Sequence, residues 1–210
     1  MVLRIVKNTL PTTTNELLWS LGQTMYVAAF AKLGTTAYAA YQAAAAINNI
    51  FSFAGFSVGD ATLILVGEKL GQGKTEETYI LGKKLLRVGV FLGVCMGLIL
   101  MIAAKPMTGL FNLSPEGKEY TFRILLIYGG FLGINLYNGI NITGTLRGGG
   151  DTKFAMLAEC ASLWLVAVPL AYIGALWLGL PIYMAVLMFK CEEITKAMIL
   201  TFRFRSKKWV

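Results

Sequence analysis

The stretch PTTTNELLWSLGQTMYVAAFA, residues Pro11–Ala31, decides the kind of fold, because it is apolar over most of its length and carries one ionisable group, Glu16. At about 100° per residue, its polar side chains fall within one third of a helix circumference. They are Thr12, Glu16, Ser20, Gln23 and Tyr26, with Trp19 in the same arc. A charge facing lipid costs roughly 2.5–3.5 kcal/mol on insertion scales. The pattern predicts a spanning helix whose polar face meets protein or a wet cavity. A helix end near the headgroups, with Glu16 capping it, is the alternative.

The composition of the whole chain indicates an integral membrane protein. Apolar residues make up 56% and charged residues 14%, whereas a soluble domain has about a quarter charged residues. The 210 residues suffice for about six spans of about 20 residues. The chain has no histidine, its three cysteines stand apart in apolar stretches, and it shows no nucleophile motif. The sequence therefore predicts no enzyme, no cofactor and no metal cluster.

Hydropathy and turn signals predict an all-α fold of six transmembrane helices in a single domain, 1–210. The spans are placed at about 12–31, 38–66, 85–104, 120–146, 154–176 and 181–202. The second span exceeds the minimum length, which predicts a tilt or a break, with Gly55 and Gly59 as places for it. A turn at Gly179–Pro181 divides the uncharged run 161–189 into a hairpin.

The basic residues are distributed unequally between the two sides of the membrane. One side receives Arg4, Lys7, Lys69, Lys74, Lys83, Lys84, Arg87, Arg147, Lys153, Arg203, Arg205, Lys207 and Lys208, and the other receives Lys32, Lys105, Lys118 and Arg123. This bias of about three to one predicts that both termini are cytoplasmic. The formal charge of +8 then reflects cytoplasmic loops, and no nucleic-acid partner is expected.

The third span carries Gly89, Gly93 and Gly97 at a spacing of four residues and almost no polar atoms. Such a ridge lets two helix backbones approach closely in lipid. We expect it to pack against Gly129 and Gly133 of the fourth span.

Polar stripes on four of the spans predict a hydrophilic interior. The residues assigned to a substrate cavity are Asn15, Gln23, Tyr26, Gln42, Asn49, Asn135, Asn138 and Asn141, with Tyr38, Ser52 and Thr145 in the same stripes. Any one of these side chains could instead form a hydrogen bond between helices, which is worth about 0.6 kcal/mol on average. Aligned faces on several helices favour a solute pathway.

Ionisable residues collect near the cytoplasmic end of the predicted bundle. Glu16, Asp60 and Glu159 are the candidates for binding a coupling proton or cation, and Glu16 is also a possible Na⁺ ligand. In the sixth span, Glu192 can pair with Lys196, and Lys190 with Glu193. We interpret these pairs as mainly structural. The whole arrangement predicts a charged inner gate or relay beneath a neutral upper cavity.

An ordered set of motifs resembles a known family. The set comprises Asn15-Glu16, LVGEKLGQGK at Leu65–Lys74, LRGGGDTKF at Leu146–Phe154, Trp164, PLAY at Pro169–Tyr172 and FRFRSKKW at Phe202–Trp209. Together they resemble the carboxy-terminal lobe of the multidrug and toxic compound extrusion family. The resemblance implies one lobe of a twelve-helix, multi-pass exporter of the cell membrane. It implies export of organic cations in exchange for Na⁺ or H⁺ by alternating access.

The resemblance also implies what is missing. Glu16 matches a cation-binding acid of some members, but Asn135, Asn138 and Asn141 stand in the helix where those members have a second carboxylate. The expected partners are membrane lipid, small organic cations, and either an amino-terminal lobe or a second six-helix chain. We expect a fragment or a split gene. A flippase for lipid-linked oligosaccharides and a non-transporting membrane scaffold are the alternatives.

Overall fold

The computed structural model describes the backbone of residues 2–210 and the side chains of residues 13–53 and 55–210. The described residues form six helices and no strand. The helices are α1 (Val2–Ala31), α2 (Thr35–Gly71), α3 (Thr75–Thr108), α4 (Pro115–Gly139, continued by the π-helical segment Ile140–Leu146), α5 (Thr152–Trp177) and α6 (Ile182–Arg205). The predicted all-α fold with six helices is therefore confirmed.

The helices extend beyond the predicted spans at most of their ends, because a helix that leaves the hydrocarbon continues until a turn stops it. Three of the described helices are long and apolar enough to cross a membrane: Thr35–Gly71, Thr75–Thr108 and Thr152–Trp177. The other three helices have a lower hydropathy because they carry polar residues: Glu16 in α1, the asparagine stripe in α4 and the charged residues in α6. The span boundaries within the helices stay a prediction.

The α3 glycine ridge packs against α4 as expected. A Cβ atom added to Gly93 would lie 2.8 Å from Gly133 Cα, and one added to Gly97 would meet the carbonyl oxygen of Gly129. This pair of helices makes the most extensive helix–helix contact of the described chain. Close backbone approach increases van der Waals contact, which drives helix association where lipid removes the hydrophobic effect.

Of the two predictions for α2, a tilt or a break, the break is wrong, since the helix runs without interruption through Gly55 and Gly59; the tilt stays a prediction. A Cβ atom on Gly55 would lie 2.5 Å from Leu136 Cγ, and Gly59 faces the backbone of Ile140. These glycines therefore serve the close contact of α2 with α4. Helical glycine is tolerated here because packing offsets its entropic cost of about 1 kcal/mol.

Two π-helical segments, Leu163–Ala167 and Ile173–Trp177, interrupt α5. Pro169 follows the first segment and has no backbone N–H, and its ring would clash with the carbonyl four residues earlier in a regular α-helix. A widened turn relieves that clash. The chain then reverses through Gly179, which has a φ of 56°, so the predicted hairpin is confirmed.

The carboxy-terminal tail packs onto the turn between α4 and α5. Trp209 is 2% exposed, and its Nε1 donates to the Phe204 carbonyl at 3.0 Å. Its indole ring contacts Gly149, and Arg203 binds Asp151 at 2.6 Å. This end of the bundle also holds the α2–α3 turn, where Lys69 binds Glu77 at 2.8 Å and lowers the pKa of that carboxyl.

The contact of Arg147 with Glu16 places the start of the first predicted span at this same end of the bundle. The start of the first predicted span and the end of the sixth therefore lie on the same side of the bundle. The compartment that this side faces stays a prediction.

Candidate functional site

A cavity of about 490 Å³ opens between α1, α2, α4, α5 and α6. Among the described residues, none of α3 contributes to its wall. The structure places six of the eight predicted cavity residues on this wall: Gln23, Tyr26, Gln42, Asn49, Asn135 and Asn138. The polar faces of α1, α2 and α4 therefore do converge on one space. The predicted arc residue Thr12 lies outside the described side chains.

The other two predicted cavity residues lie elsewhere. Asn15 is buried behind the wall, where its Nδ2 donates to Glu159 Oε2 at 2.7 Å. Asn141 is fully buried in the π-helical segment of α4, and its Oδ1 accepts a hydrogen bond from Thr145 Oγ1 at 2.5 Å. The π turn shifts the register of α4 after Gly139, which carries Asn141 away from the stripe of Asn135 and Asn138.

The three predicted coupling carboxylates do not meet. Glu159 lies on the cavity wall. The Glu16 side chain is 58% exposed, because Asn15, its neighbour about 100° away on the helix, takes the inward direction. Asp60 is exposed and borders a separate hollow of about 50 Å³ beside Asn135 and Thr143.

Arg147 joins two of these carboxylates at the end of the cavity. Its Nη2 lies 3.3 Å from Glu16 Oε1 and 3.6 Å from Glu159 Oε2. The side chains of Arg147 and Glu159 are each 18% exposed, so solvent screens this pair less than a surface pair. The network of Glu16, Arg147, Glu159 and Asn15 thus ties α1, α4 and α5 together. The sequence predicts only a loop cation at Arg147, because no local pattern indicates a partner 131 residues away.

The predicted Na⁺ ligand Glu16 has a guanidinium as its nearest charged neighbour. Among the described side chains, no group of three or more acidic, cysteine or histidine residues is placed to hold a metal ion. A cation bound between Glu16 and Glu159 would have to displace Arg147. A proton on either carboxylate would weaken the same ion pairs without needing that space.

The charged residues of α6 lie on the cavity wall and form the predicted pairs. Lys196 Nζ lies 3.0 Å from Glu192, and Lys190 Nζ lies 3.4 Å from Glu193. Glu193 also accepts from Asn135 Nδ2 at 2.7 Å and from Asn138 Nδ2 at 2.8 Å. Both pairs form as predicted, and they lie on the wall of the site; their mainly structural role stays a prediction. The asparagine stripe of α4 could have indicated these bonds between α4 and α6, because the amides of Asn135 and Asn138 need an acceptor on a facing helix.

Aromatic rings line the cavity next to this charged cluster. The rings of Tyr26 and Phe189 lie 4.3 Å apart between centroids, and Tyr41 and Tyr128 line the same wall. Lys190 Nζ lies 5.3 Å from the centroid of Tyr128 and 5.7 Å from that of Phe189. An ammonium group is therefore held here by a carboxylate and by two ring faces, as cation–π attraction favours.

Two buried oxygens of the cavity wall accept no hydrogen bond in the described part of the chain: Asn138 Oδ1, and Glu192 Oε2, which lies 3.0 Å from the Lys196 ammonium. The Nδ2 of the Asn138 amide does donate to Glu193. A buried acceptor without a donor is costly.

Comparison with known proteins agrees with this architecture. The sequence model of the MatE family matches residues 11–173. An uncharacterised transporter of Bacillus subtilis, YisQ, is 24% identical over 99% of this chain and 45% of its own length. The probable multidrug resistance protein NorM of Thermotoga maritima is 25% identical over 95% of this chain and 43% of its own length.

The same likeness appears in three dimensions. A crystal structure of MATE in complex with MaD3S superimposes with a TM-score of 0.87 at 20% identity, covering 98% of this chain and 46% of that one. The chain thus spans less than half the length of the relatives that it matches. With the family model covering most of its residues, this multi-pass membrane chain belongs to the MatE family of transporters.

Proposed function

We propose that the chain forms one lobe of a secondary-active exporter of cationic or amphipathic organic compounds, driven by Na⁺ or H⁺ exchange. Family membership supports transport, and a relative named as a probable multidrug resistance protein supports efflux of this substrate class. On this proposal the protein acts in the cell membrane. The cavity opens on one side of a lobe, and a second lobe of six helices would close it.

The observation that carries the proposal is the position of Lys190. Its ammonium group occupies the environment that an organic cation needs, between the Glu193 carboxylate and the faces of Tyr128 and Phe189. A positively charged substrate can take over these contacts when the lysine side chain moves aside.

The coupling ion would act through Glu159, supported by Glu16 and Asp60. Protonation of Glu159, or binding of Na⁺ to it, weakens the attraction between Arg147 and Glu159, which joins the end of α4 to α5. These helices would then be released from one another at that end of the cavity. Alternating access needs such a difference in contacts between two states.

The alternatives have weaker support. A flippase for lipid-linked oligosaccharides would need a basic wall, whereas both lysines of this cavity, Lys190 and Lys196, are paired with glutamates. A scaffold without transport would have no use for a polar cavity lined by buried charges, which are costly to bury.

A vesicle flux assay tests the proposal. The chain is reconstituted with and without a second six-helix lobe, and uptake of a fluorescent organic cation is driven by an imposed pH or Na⁺ gradient. We expect flux only when both lobes are present. Glu159→Gln should abolish gradient-driven flux, and Glu68→Gln, a change at an exposed carboxylate of α2 away from the cavity, should leave it intact.

The same assay separates the roles of the three carboxylates. Gradient-driven flux that survives Glu16→Gln would remove Glu16 from the coupling path, and survival in Asp60→Asn would do the same for Asp60. If Glu159→Gln transports normally under both gradients, coupling through this network is wrong.

A further inference from the structure

A second hollow lies on the outer face of the bundle and plays no part in the proposed transport path. It is an open groove of about 550 Å³ between α3, α4 and α6. No described residue of α3 lines the central cavity, so this groove and the cavity lie on different faces of the lobe. In a membrane protein, such an outer face meets lipid.

The groove has the length of one lipid leaflet. Along α3 it extends from Tyr79 to Val94, and the part from the first basic residue, Lys83, to Val94 is roughly 16 Å long at the helical rise. The hydrocarbon core of a bilayer is about 30 Å thick, so the groove covers about half of it. Its deeper wall is apolar and open, with Val90, Phe91 and Val94 exposed.

The charge of the groove is confined to one end and has one sign. Lys83, Arg87 and Arg205 line it there, and no acidic residue does. None of these three forms an ion pair with a described residue. The nearby carboxylates Glu76 and Glu77 are already held by Lys207 and Lys69. The basic end therefore lacks a counter-charge from the described protein.

A neighbouring groove of about 410 Å³ begins on the other side of Arg205. It shares Thr201 and Arg205 with the first groove, and its remaining wall is apolar, with Met198 and Phe202 largely exposed. Two apolar grooves thus meet at one cluster of cations. That outline matches a headgroup with two acyl chains.

We propose that this face binds one anionic phospholipid, with its phosphate at Lys83, Arg87 and Arg205 and one acyl chain in each groove. Arginine and lysine pair with phosphate through charge-assisted hydrogen bonds, and basic pockets between transmembrane helices hold anionic headgroups in this way. Zwitterionic lipid offers no net charge to the cluster and binds less tightly.

Native mass spectrometry of the delipidated chain in detergent tests the site. Dioleoylphosphatidylglycerol should bind as one retained molecule and more tightly than dioleoylphosphatidylcholine. In the K83Q/R87Q/R205Q variant, the affinity for phosphatidylglycerol should fall on the order of a hundredfold, from about 1 kcal/mol for each basic residue. The control K84Q/K153Q/K208Q removes the same charge from exposed residues that do not line the grooves and should bind normally.

A second variant tests the apolar part of the site. Val90→Trp fills the groove while keeping all three cations, and it should weaken retention of phosphatidylglycerol at least about tenfold. Glycerol phosphate, a headgroup without chains, should not displace the lipid. The proposal would be overturned if the two triple variants lost equal affinity for phosphatidylglycerol, or if the wild-type chain bound the two lipids equally. Normal retention of phosphatidylglycerol by Val90→Trp would also overturn it. So would a delipidated dimer that Val90→Trp separates, because a second chain would then occupy the groove.

Discussion

Lys190 places an ammonium group inside the cavity, between the Glu193 carboxylate and two aromatic rings. A buried charge of this kind persists only when it is paired, and here the pairing also involves Asn135 and Asn138 through Glu193. At the scale of single residues, Lys190 therefore competes with an organic cation for the same carboxylate and the same ring faces. The lysine is a built-in occupant of the position that a cationic substrate would take.

Replacing Lys190 with methionine should strengthen the binding of an organic cation. The change removes the competing ammonium and leaves Glu193 without its closest cationic partner on α6. Cation–π energies of about 0.5–2 kcal/mol correspond to an affinity gain between about twofold and thirtyfold. Calorimetric titration with tetraphenylphosphonium measures it, and Lys84→Met, on the exposed surface, is the control. Unchanged or weaker binding by a folded Lys190→Met variant would contradict the role given to this lysine.

Much of the residue-level site could be predicted from periodicity, and the failures have physical causes. Gln23, Tyr26 and Asn135 reach the cavity as their helical positions indicate. Asn141 does not reach the cavity, because a π-helical turn rotates it away, and no local sequence motif indicates that turn. The ion pairs of Arg147 could not be predicted, because its partners lie on α1 and α5 and pairing across such separations depends on how the helices pack.

At the scale of elements, the glycine seam between α3 and α4 holds the bundle together. The spacing of four residues predicted this contact, since it places Gly89, Gly93 and Gly97 on one face of a helix. In α2 the glycines Gly55 and Gly59 also indicate a place for a break, but the helix is continuous there. Sequence alone cannot distinguish a glycine that allows a bend from one that admits a neighbouring helix, because the neighbour is absent from the pattern.

Gly93→Ala should destabilise the lobe. The added methyl group would lie 2.8 Å from Gly133 Cα and 2.9 Å from the Leu132 carbonyl oxygen, so the helices must separate. We expect a cost of about 1–3 kcal/mol, visible as a lower thermal midpoint in detergent.

Gly130→Ala is the matched control for that prediction, because the added methyl group would lie at an ordinary 3.5 Å from its nearest neighbour, Met101 Cε. It should be neutral or slightly stabilising, since alanine favours the helix by up to about 1 kcal/mol. Equal thermal midpoints for the two variants would mean that the seam is not tightly packed.

At the scale of the whole molecule, two distant motifs close one end of the lobe. The LRGGGDTKF turn and the FRFRSKKW tail meet where Trp209 covers Gly149 and Arg203 binds Asp151. The order of the motifs along the chain resembled a family, but their contact could not be read from the sequence. The contact depends on the hairpin of α5 and α6, which returns the chain to the same end after about 50 residues.

Trp209→Ala should open this end. Loss of a buried tryptophan costs about 3–5 kcal/mol, whereas Trp177→Ala, at a ring that is 83% exposed, should cost little. Denaturant unfolding measures both variants. Trypsin should also cleave faster after Arg147 or Lys153 in Trp209→Ala, because the turn that carries them loses its cover. Similar stability and cleavage in the two variants would rule out a closing role for the tail.

The tail contact also has a consequence for biosynthesis. Ribosomes complete Trp209 after all six helices, so a nascent chain enters the bilayer with Gly149 and Gly82 still bare. The final packing step must wait until Trp209 has left the ribosomal exit tunnel. Membrane insertion and completion of the lobe are thus separate events in time, and quality-control factors have an interval in which to inspect an open bundle.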